Sequence, residues 1–152
     1  MNLTRFNHVN INCLDMDRQL PFYRDVLGCE VVVSGGTEES GAVFETMGFP
    51  GQRGARTEVL AVGGRTRGPY IELIQWTEVG SDKVADPRDI GMARIGFLVD
   101  DIVAAAGDLA GQGVELLTDV HSGGVGAARV KAVFFRDPEG NLLELLEHDT
   151  GS

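Results

Sequence analysis

Two glutamates stand in the middle of apolar segments, where a charged side chain is unexpected. Glu72 is the centre of residues 70–74 (YIELI), and Glu144 is the centre of residues 142–146 (LLELL). Burying a carboxylate penalises its charged form unless a cation or hydrogen bonds compensate for the lost water. Each glutamate therefore needs a charged partner, a metal ion or a role in chemistry.

The two glutamates lie at equivalent positions of an internal repeat. Residues 68–75 match residues 140–147 at a constant offset of 72, with a glutamate in the middle of each copy. Residues 8–11 match residues 94–97 at an offset of 86, and each copy opens a strand pattern. A repeat of this length indicates two copies of one supersecondary unit.

The same offsets pair His8 with Arg94, as they pair Glu72 with Glu144. If a pseudo-twofold axis relates the two copies, equivalent strands face each other and these four side chains converge on one pocket. A carboxylate near Arg94 could then abstract a proton, while the guanidinium stabilises developing negative charge on an oxygen. The other interpretation is that Glu72 and Arg94 form a buried structural ion pair in a pocket that only binds.

The elements that must position these residues follow a βαβββ order twice. Period-2 alternation predicts strands, and apolar residues at helical spacing after a capping aspartate predict a helix. The first copy is predicted to contain strands at 6–12, 29–33, 56–62 and 70–76. Its helix is predicted to begin at Asp15 or Asp17, to have Pro21 near its first turn and to end at Gly28. The second is predicted to contain strands at 93–99, 114–117, 130–135 and 142–146, a helix capped by Asp100 or Asp101 that runs from Ile102 to Gly111 or Gly113, and a β-turn at 137–140.

This order predicts an α+β fold in which two βαβββ modules form a cupped mixed sheet. We expect a single domain, 1–152, with modules at 4–76 and 91–148 and a polar linker at 77–89. The long segment 34–55 in the first module is either a lid or a surface loop with one hydrophobic anchor.

Strand alternation gives the predicted pocket further candidate substrate contacts. Asn10, Asn12, Tyr70 and Trp76 should point to the same side as the four anchor residues. For the two aromatic residues, the alternative is ordinary packing in a core. His121, in the glycine-rich loop before the seventh strand, either reaches the pocket mouth or is a solvated loop histidine.

Composition excludes several classes of partner. Thirteen Lys and Arg against 23 Asp and Glu give a formal charge of -10, which repels nucleic acid and anionic membranes.

The two cysteines, Cys13 and Cys29, are too few for a disulfide framework and are expected to be reduced thiols. Because the sequence shows no export signal and no apolar stretch long enough to span a bilayer, we expect a cytoplasmic protein.

Four segments together resemble the vicinal oxygen chelate superfamily. They are residues 8–11 (HVNI), 22–28 (FYRDVLG), 97–102 (FLVDDI) and 135–145 (FRDPEGNLLEL). This superfamily includes glyoxalases, methylmalonyl-CoA epimerases, extradiol dioxygenases, and bleomycin- and fosfomycin-resistance proteins. The resemblance covers nearly the whole chain, and it implies a glyoxalase-like fold, a small-molecule substrate or ligand, and a homodimer.

The resemblance also implies a divalent metal site at His8, Glu72 and Glu144, with Mn, Fe, Ni or Zn as plausible ions. The fourth position of the family pattern falls on Arg94, and a guanidinium has no acceptor with which to ligate a metal. Two outcomes follow. Either water or substrate oxygens complete the metal site, or Arg94 pairs with the glutamates and the side-chain cation replaces the metal.

Three functions fit this set of residues. The first is an enzyme of the lyase, isomerase or cyclase type that works by proton abstraction and enolate stabilisation, with Glu72, Arg94 and Glu144 as catalytic residues. The second is a binding or resistance protein that captures a drug or metabolite without turning it over. The third is an extradiol-type dioxygenase, which requires a redox-active iron.

Overall fold

The computed structural model describes residues 2–35, 48, 53–64, 68–125 and 128–148. The chain divides into two compact units, residues 1–82 and 83–152. The first unit contains β1 (His8–Asn12), α1 (Met16–Pro21), a π-helical turn (Phe22–Val26), β2 (Glu30–Gly35), β3 (Ala55–Ala61), a 3₁₀ turn (Val62–Gly64) and β4 (Tyr70–Trp76). The second unit contains β5 (Ile95–Leu98), α2 (Ile102–Gly111), β6 (His121–Val125), β7 (Ala128–Arg136) and β8 (Leu142–His148).

Each unit is a four-stranded mixed sheet with a helix on one face. The strand orders are β1-β4-β3-β2 and β5-β8-β7-β6, so the two units have the same topology. In each, the first and last strands run parallel and the remaining pairs are antiparallel. The predicted α+β fold of two βαβββ modules is therefore confirmed, whereas the expectation of a single domain stays a prediction.

In the first unit, the two faces of β4 have different environments. Ile71 and Leu73 are fully buried on the face covered by α1. Gln75 lies on that same face, and its side-chain oxygen accepts a hydrogen bond from the backbone N–H of Met16 at the start of α1. The even-numbered residues of β4, including Glu72, therefore lie on the face away from the helix.

Pro21 is the last residue of α1. Asp15 caps α1 by accepting bonds from the backbone N–H groups of Asp17 and Arg18, so Pro21 lies in the second turn, next to the first. Proline has no N–H to continue the ladder, and the chain continues as a π-helical turn in which Leu27 N–H bonds to Phe22 C=O.

The strand predicted at 114–117 is also wrong. Within that segment the structure forms an isolated bridge between Leu116 and Phe135, and the edge strand lies further on, at β6. The hydroxyl of Thr118 accepts the hydrogen bond from Phe134 N–H, which a backbone carbonyl would accept if the strand pairing continued. His121 consequently opens a strand and is not a loop residue.

The last strand of each unit holds the start of its own helix. In the second unit, Glu147 accepts a hydrogen bond from Ile102 N–H at 2.8 Å, as Gln75 does from Met16 N–H in the first unit at 3.0 Å. The offsets of 72 and 86 that define the repeat relate these two pairs. Glu147 also accepts a bond from Lys131 Nζ, and the helix N–H and this ammonium together lower the pKa of the Glu147 carboxyl.

Cys13 and Cys29 are buried and form no disulfide, and burial raises the pKa of the Cys29 thiol to about 11. No helix in the described ranges has the length and apolar character that a membrane span requires. The candidate lid at 34–55 lies largely outside the described residues.

The Glu147 contacts predict a pH-dependent stability difference. A carboxyl whose folded-state pKa is depressed contributes stability that is present above its unfolded pKa and is lost as pH falls through the folded pKa. Glu147→Gln should therefore lower the free energy of unfolding most at neutral pH, and the difference from wild type should shrink as pH falls below the ordinary range of a glutamate pKa. Urea denaturation across this range measures the difference.

Glu115→Gln is the matched control, because Glu115 is an exposed glutamate of the same unit. The control should change stability little at any pH. Parallel pH profiles for wild type and Glu147→Gln would show that the carboxylate does not hold the helix start.

Candidate functional site

In the first unit, the structure brings His8 and Glu72 together. They lie on β1 and β4, which are parallel neighbours, and Nε2 of His8 is 3.7 Å from Oε2 of Glu72. The Asn7 side-chain amide is 3.0 Å from Nδ1 of His8. Because an amide nitrogen is only a donor, Nδ1 is the acceptor and Nε2 carries the proton that faces the carboxylate.

The predicted substrate contacts of this unit share the face that carries Glu72. Asn10 is the register partner of Glu72, and Tyr70 is the partner of His8. Trp76 donates from its indole N–H to the Asn12 side-chain oxygen at 2.8 Å. The indole also packs against a small buried cluster, Ala55 and Ile74, so that it is both a packing residue and a polar contact.

In the second unit, Arg94 and Glu144 form an ion pair. Nε of Arg94 is 2.9 Å from Oε2 of Glu144, and the guanidinium side chain is 46% exposed whereas the carboxylate side chain is 11% exposed. Arg94 therefore forms the solvent-facing part of the pair and Glu144 the inner part. The permanent positive charge of the guanidinium compensates for the burial of the carboxylate.

Gly96 provides the space that the Glu144 side chain occupies. It is the register partner of Glu144 on β5, and a Cβ atom added there would lie 2.9 Å from Oε1 and 3.2 Å from Cγ of Glu144. A real Cβ does not approach so closely, so any larger residue would require the Glu144 side chain to shift. The repeat-equivalent residue of the first unit is Asn10.

Two aromatic rings complete this side of the second sheet. Phe134 is the β7 register partner of Glu144, and its ring lies 5.6 Å below the guanidinium carbon of Arg94. The His121 ring stacks on the Phe134 ring, with centroids 5.8 Å apart and an interplanar angle of 21°. Phe134 is not among the site residues that the sequence predicts, although alternation along β7 would have placed it opposite Glu144.

The two repeat-related glutamates thus have different partners. Glu72 has a histidine at 3.7 Å and its side chain is 26% exposed, whereas Glu144 has an arginine at 2.9 Å and is nearly buried. The expectation that all four anchors share one pocket stays a prediction.

The donor set does not fit the four-ligand metal centre that the resemblance implies. His8 and Glu72 are chemically suitable ligands, but the equivalent pair contains Arg94, which already provides the positive charge beside Glu144. Within either unit, the described residues include no group of three or more His, Cys, Asp or Glu side chains arranged to hold a metal ion.

The sequence matches one family model over nearly its whole length. The model is described as Glyoxalase/Bleomycin resistance protein/Dioxygenase superfamily, and the match covers residues 5–145. No curated protein matches the sequence significantly.

Several solved structures are similar to this chain in fold. A glyoxalase family protein from Bacillus cereus has 20% identity and a TM-score of 0.77, with 97% of this chain and 96% of that chain covered. A glyoxalase family protein from Enterococcus faecalis has 22% identity and a TM-score of 0.70, covering 97% and 100%. The trypanothione-dependent glyoxalase I of Leishmania major has 22% identity and a TM-score of 0.66, covering 97% and 89%. At these identities the likeness concerns the fold alone.

The contact between Gly96 and Glu144 predicts the cost of adding one methyl group. Gly96→Ala should lower the free energy of unfolding by about 1 kcal/mol, the lower end of the usual cost of overpacking, because the side chains of Glu144 and Leu146 must shift to make room. Gly123→Ala in β6 is the control, since a Cβ there meets nothing within 4 Å. Its effect should stay within about 0.5 kcal/mol. Equal stability of the two variants by urea denaturation would contradict this account of Gly96.

Proposed function

The chain belongs to the Glyoxalase/Bleomycin resistance protein/Dioxygenase superfamily, and from this premise we propose that it is a small-molecule enzyme of the lyase, isomerase or cyclase type. Its reaction begins with removal of a proton from the carbon beside a substrate carbonyl. The observation that carries the proposal is the unequal pairing of the two repeat-related glutamates, since one carboxylate lies beside a histidine and the other beside an arginine.

Glu72 is the general base in this proposal. A carboxylate accepts a substrate proton only if it is accessible and is not already held by a permanent cation. Glu72 meets both conditions, because its side chain is partly exposed and its neighbour is the His8 imidazole, with Nε2 at 3.7 Å, and not a permanent cation. Nε2 of His8 faces this carboxylate on the sheet face away from α1.

Arg94 stabilises the negative charge that develops on the substrate oxygen. Its guanidinium is charged at every accessible pH and half exposed, and apart from Glu144 no described residue accepts a hydrogen bond from it. Its N–H groups can therefore donate to an enolate oxygen, where charge-assisted bonds are strongest. Glu144 acts through Arg94 by holding the guanidinium in place, so it is a positioning residue in this scheme.

This scheme takes its positive charge from a side chain and requires no metal ion. A metal ion in this family would supply the same stabilisation of an anionic oxygen, with His8 and Glu72 as the residues suited to hold it. In the second unit, the Arg94 guanidinium supplies that charge instead.

A second candidate function is capture of a ligand without turnover. The bond between the Trp76 indole and Asn12 favours it, because a fixed aromatic wall is a typical feature of a binding surface. In that case a bound ligand would be recovered chemically unchanged after long incubation.

Proton abstraction predicts hydrogen exchange from solvent. We expect the protein to incorporate deuterium from D₂O at the carbon beside the carbonyl in at least one member of a panel of small ketones and aldehydes, followed by NMR. Glu72→Gln should slow this exchange by about 100-fold or more, the lower end of what a general base contributes. Arg94→Gln should also slow it, because the charge on the enolate oxygen loses its donor.

Glu30→Gln is the matched control, since Glu30 is an exposed glutamate at the start of β2 in the same sheet. It should exchange at the wild-type rate. Equal exchange by wild type and Glu72→Gln would eliminate Glu72 as the base, and the absence of exchange across the panel together with unchanged bound ligand would favour capture.

The scheme also predicts insensitivity to chelators. Prolonged dialysis against EDTA should leave the exchange rate of the wild-type protein within about twofold, because Arg94 carries the positive charge. Loss of exchange that Mn²⁺, Fe²⁺, Ni²⁺ or Zn²⁺ restores would instead assign the chemistry to a bound metal ion.

A further inference from the structure

Arg94, His121 and Phe134 form a continuous surface, which we call the Arg–aromatic patch. They lie on the face of the second sheet away from α2. Phe134 is the register partner of Glu144 on that face. His121 is the register partner of Ala132, which shares a face of β7 with Phe134. The opposite face carries the buried residues that pack on the helix.

The patch combines a cation with two flat rings in one stack. His121 is exposed and its ring is nearly parallel to that of Phe134, while the guanidinium lies against the same phenyl ring. Arginine and aromatic rings held in this way offer a ligand both a flat contact and charged N–H donors.

The patch also exposes a cation on a strongly acidic protein. The formal net charge is -10, so an anion is repelled from most of the surface. In the Arg94–Glu144 pair, however, the arginine is the exposed member and the glutamate is the inner one. An anion that approaches this face therefore meets N–H donors before it meets the carboxylate.

We propose that the Arg–aromatic patch binds a planar, conjugated oxyanion. This deepens the function proposed above and rests on it for the identity of the substrate. The substrate is then an aromatic or otherwise conjugated carbonyl compound, because loss of the proton beside its carbonyl gives an enolate that is flat and negatively charged on oxygen. The flat group lies against Phe134 and His121, and the oxygen accepts hydrogen bonds from Arg94.

Flatness and charge make separate contributions, so they can be tested separately. Benzoate has both features and no exchangeable proton beside its carboxylate, so its binding does not depend on turnover. Cyclohexanecarboxylate keeps the charge without the flat ring, benzamide keeps the flat ring without the charge, and inorganic phosphate is a tetrahedral anion. Dissociation constants come from ¹H–¹⁵N NMR titration of the full-length protein at fixed ionic strength.

Benzoate should bind at least about 5-fold more tightly than each of the other three probes, and its chemical-shift changes should include the backbone amides of His121 and Phe134. Arg94→Gln should weaken benzoate by about 10-fold, the usual effect of losing a charge-assisted contact. His121→Leu should weaken benzoate and leave cyclohexanecarboxylate nearly unchanged, since it removes a flat ring and keeps apolar volume.

Arg129→Gln is the matched control for net charge. Arg129 is an exposed arginine on β7 at an odd-numbered position, on the opposite face from Phe134, so its loss should leave benzoate affinity within about twofold. Arg94→Lys keeps the charge and removes the fork, and it provides a second test if Arg94→Gln folds poorly by circular dichroism.

Equal affinity for benzoate and cyclohexanecarboxylate, or equal losses in Arg94→Gln and Arg129→Gln, would overturn the proposal. Shift changes confined to residues outside β6 and β7 would do the same. Failure of the patch is distinguishable from failure of the enzyme assignment, because Glu72→Gln should bind benzoate as wild type does while losing deuterium exchange.

Discussion

A carboxylate placed inside a hydrophobic sheet requires a compensating charge, and this requirement governs both halves of the protein. Glu72 and Glu144 occupy the same place in the repeat, yet the first has a histidine beside it and the second an arginine. The arginine is permanently charged and cannot ligate a metal. A histidine can carry a positive charge when it is protonated, and it can ligate a metal when it is neutral. The choice of partner therefore decides which chemistry each half can perform.

Small residues and backbone contacts make that difference possible without changing the topology. Gly96 leaves room for Glu144 to lie beside Arg94, and the equivalent residue of the other unit, Asn10, is larger. In both units, meanwhile, the last strand anchors the first turn of the helix through a side-chain oxygen, supplied by Gln75 or Glu147. The two units share one architecture, but the residues on the face of each sheet away from its helix differ between them.

Most of the fold was predictable from the repeat and from two local patterns. Apolar alternation indicates strands, and capping aspartates indicate where helices begin. Asp15 and Asp101 cap the two helices, and β4 has the bounds that its sequence pattern predicts. The failures came where a tertiary contact overrides a local pattern. Thr118 ends the pairing of the segment predicted as a strand, and β6 forms from a glycine-rich stretch whose composition is typical of a loop.

The sequence by itself determined the chemical inventory, namely two repeated glutamates, a histidine at one anchor and an arginine at the other. It also determined that His8 and Asn10 share a strand face, because side chains alternate along any strand. The tertiary structure alone decided that Arg94 pairs with Glu144, that Gly96 accommodates this carboxylate, and that Phe134 and His121 stack beside the guanidinium. These contacts join residues far apart in the chain, and only strand register and folded backbone geometry bring such residues within bonding distance.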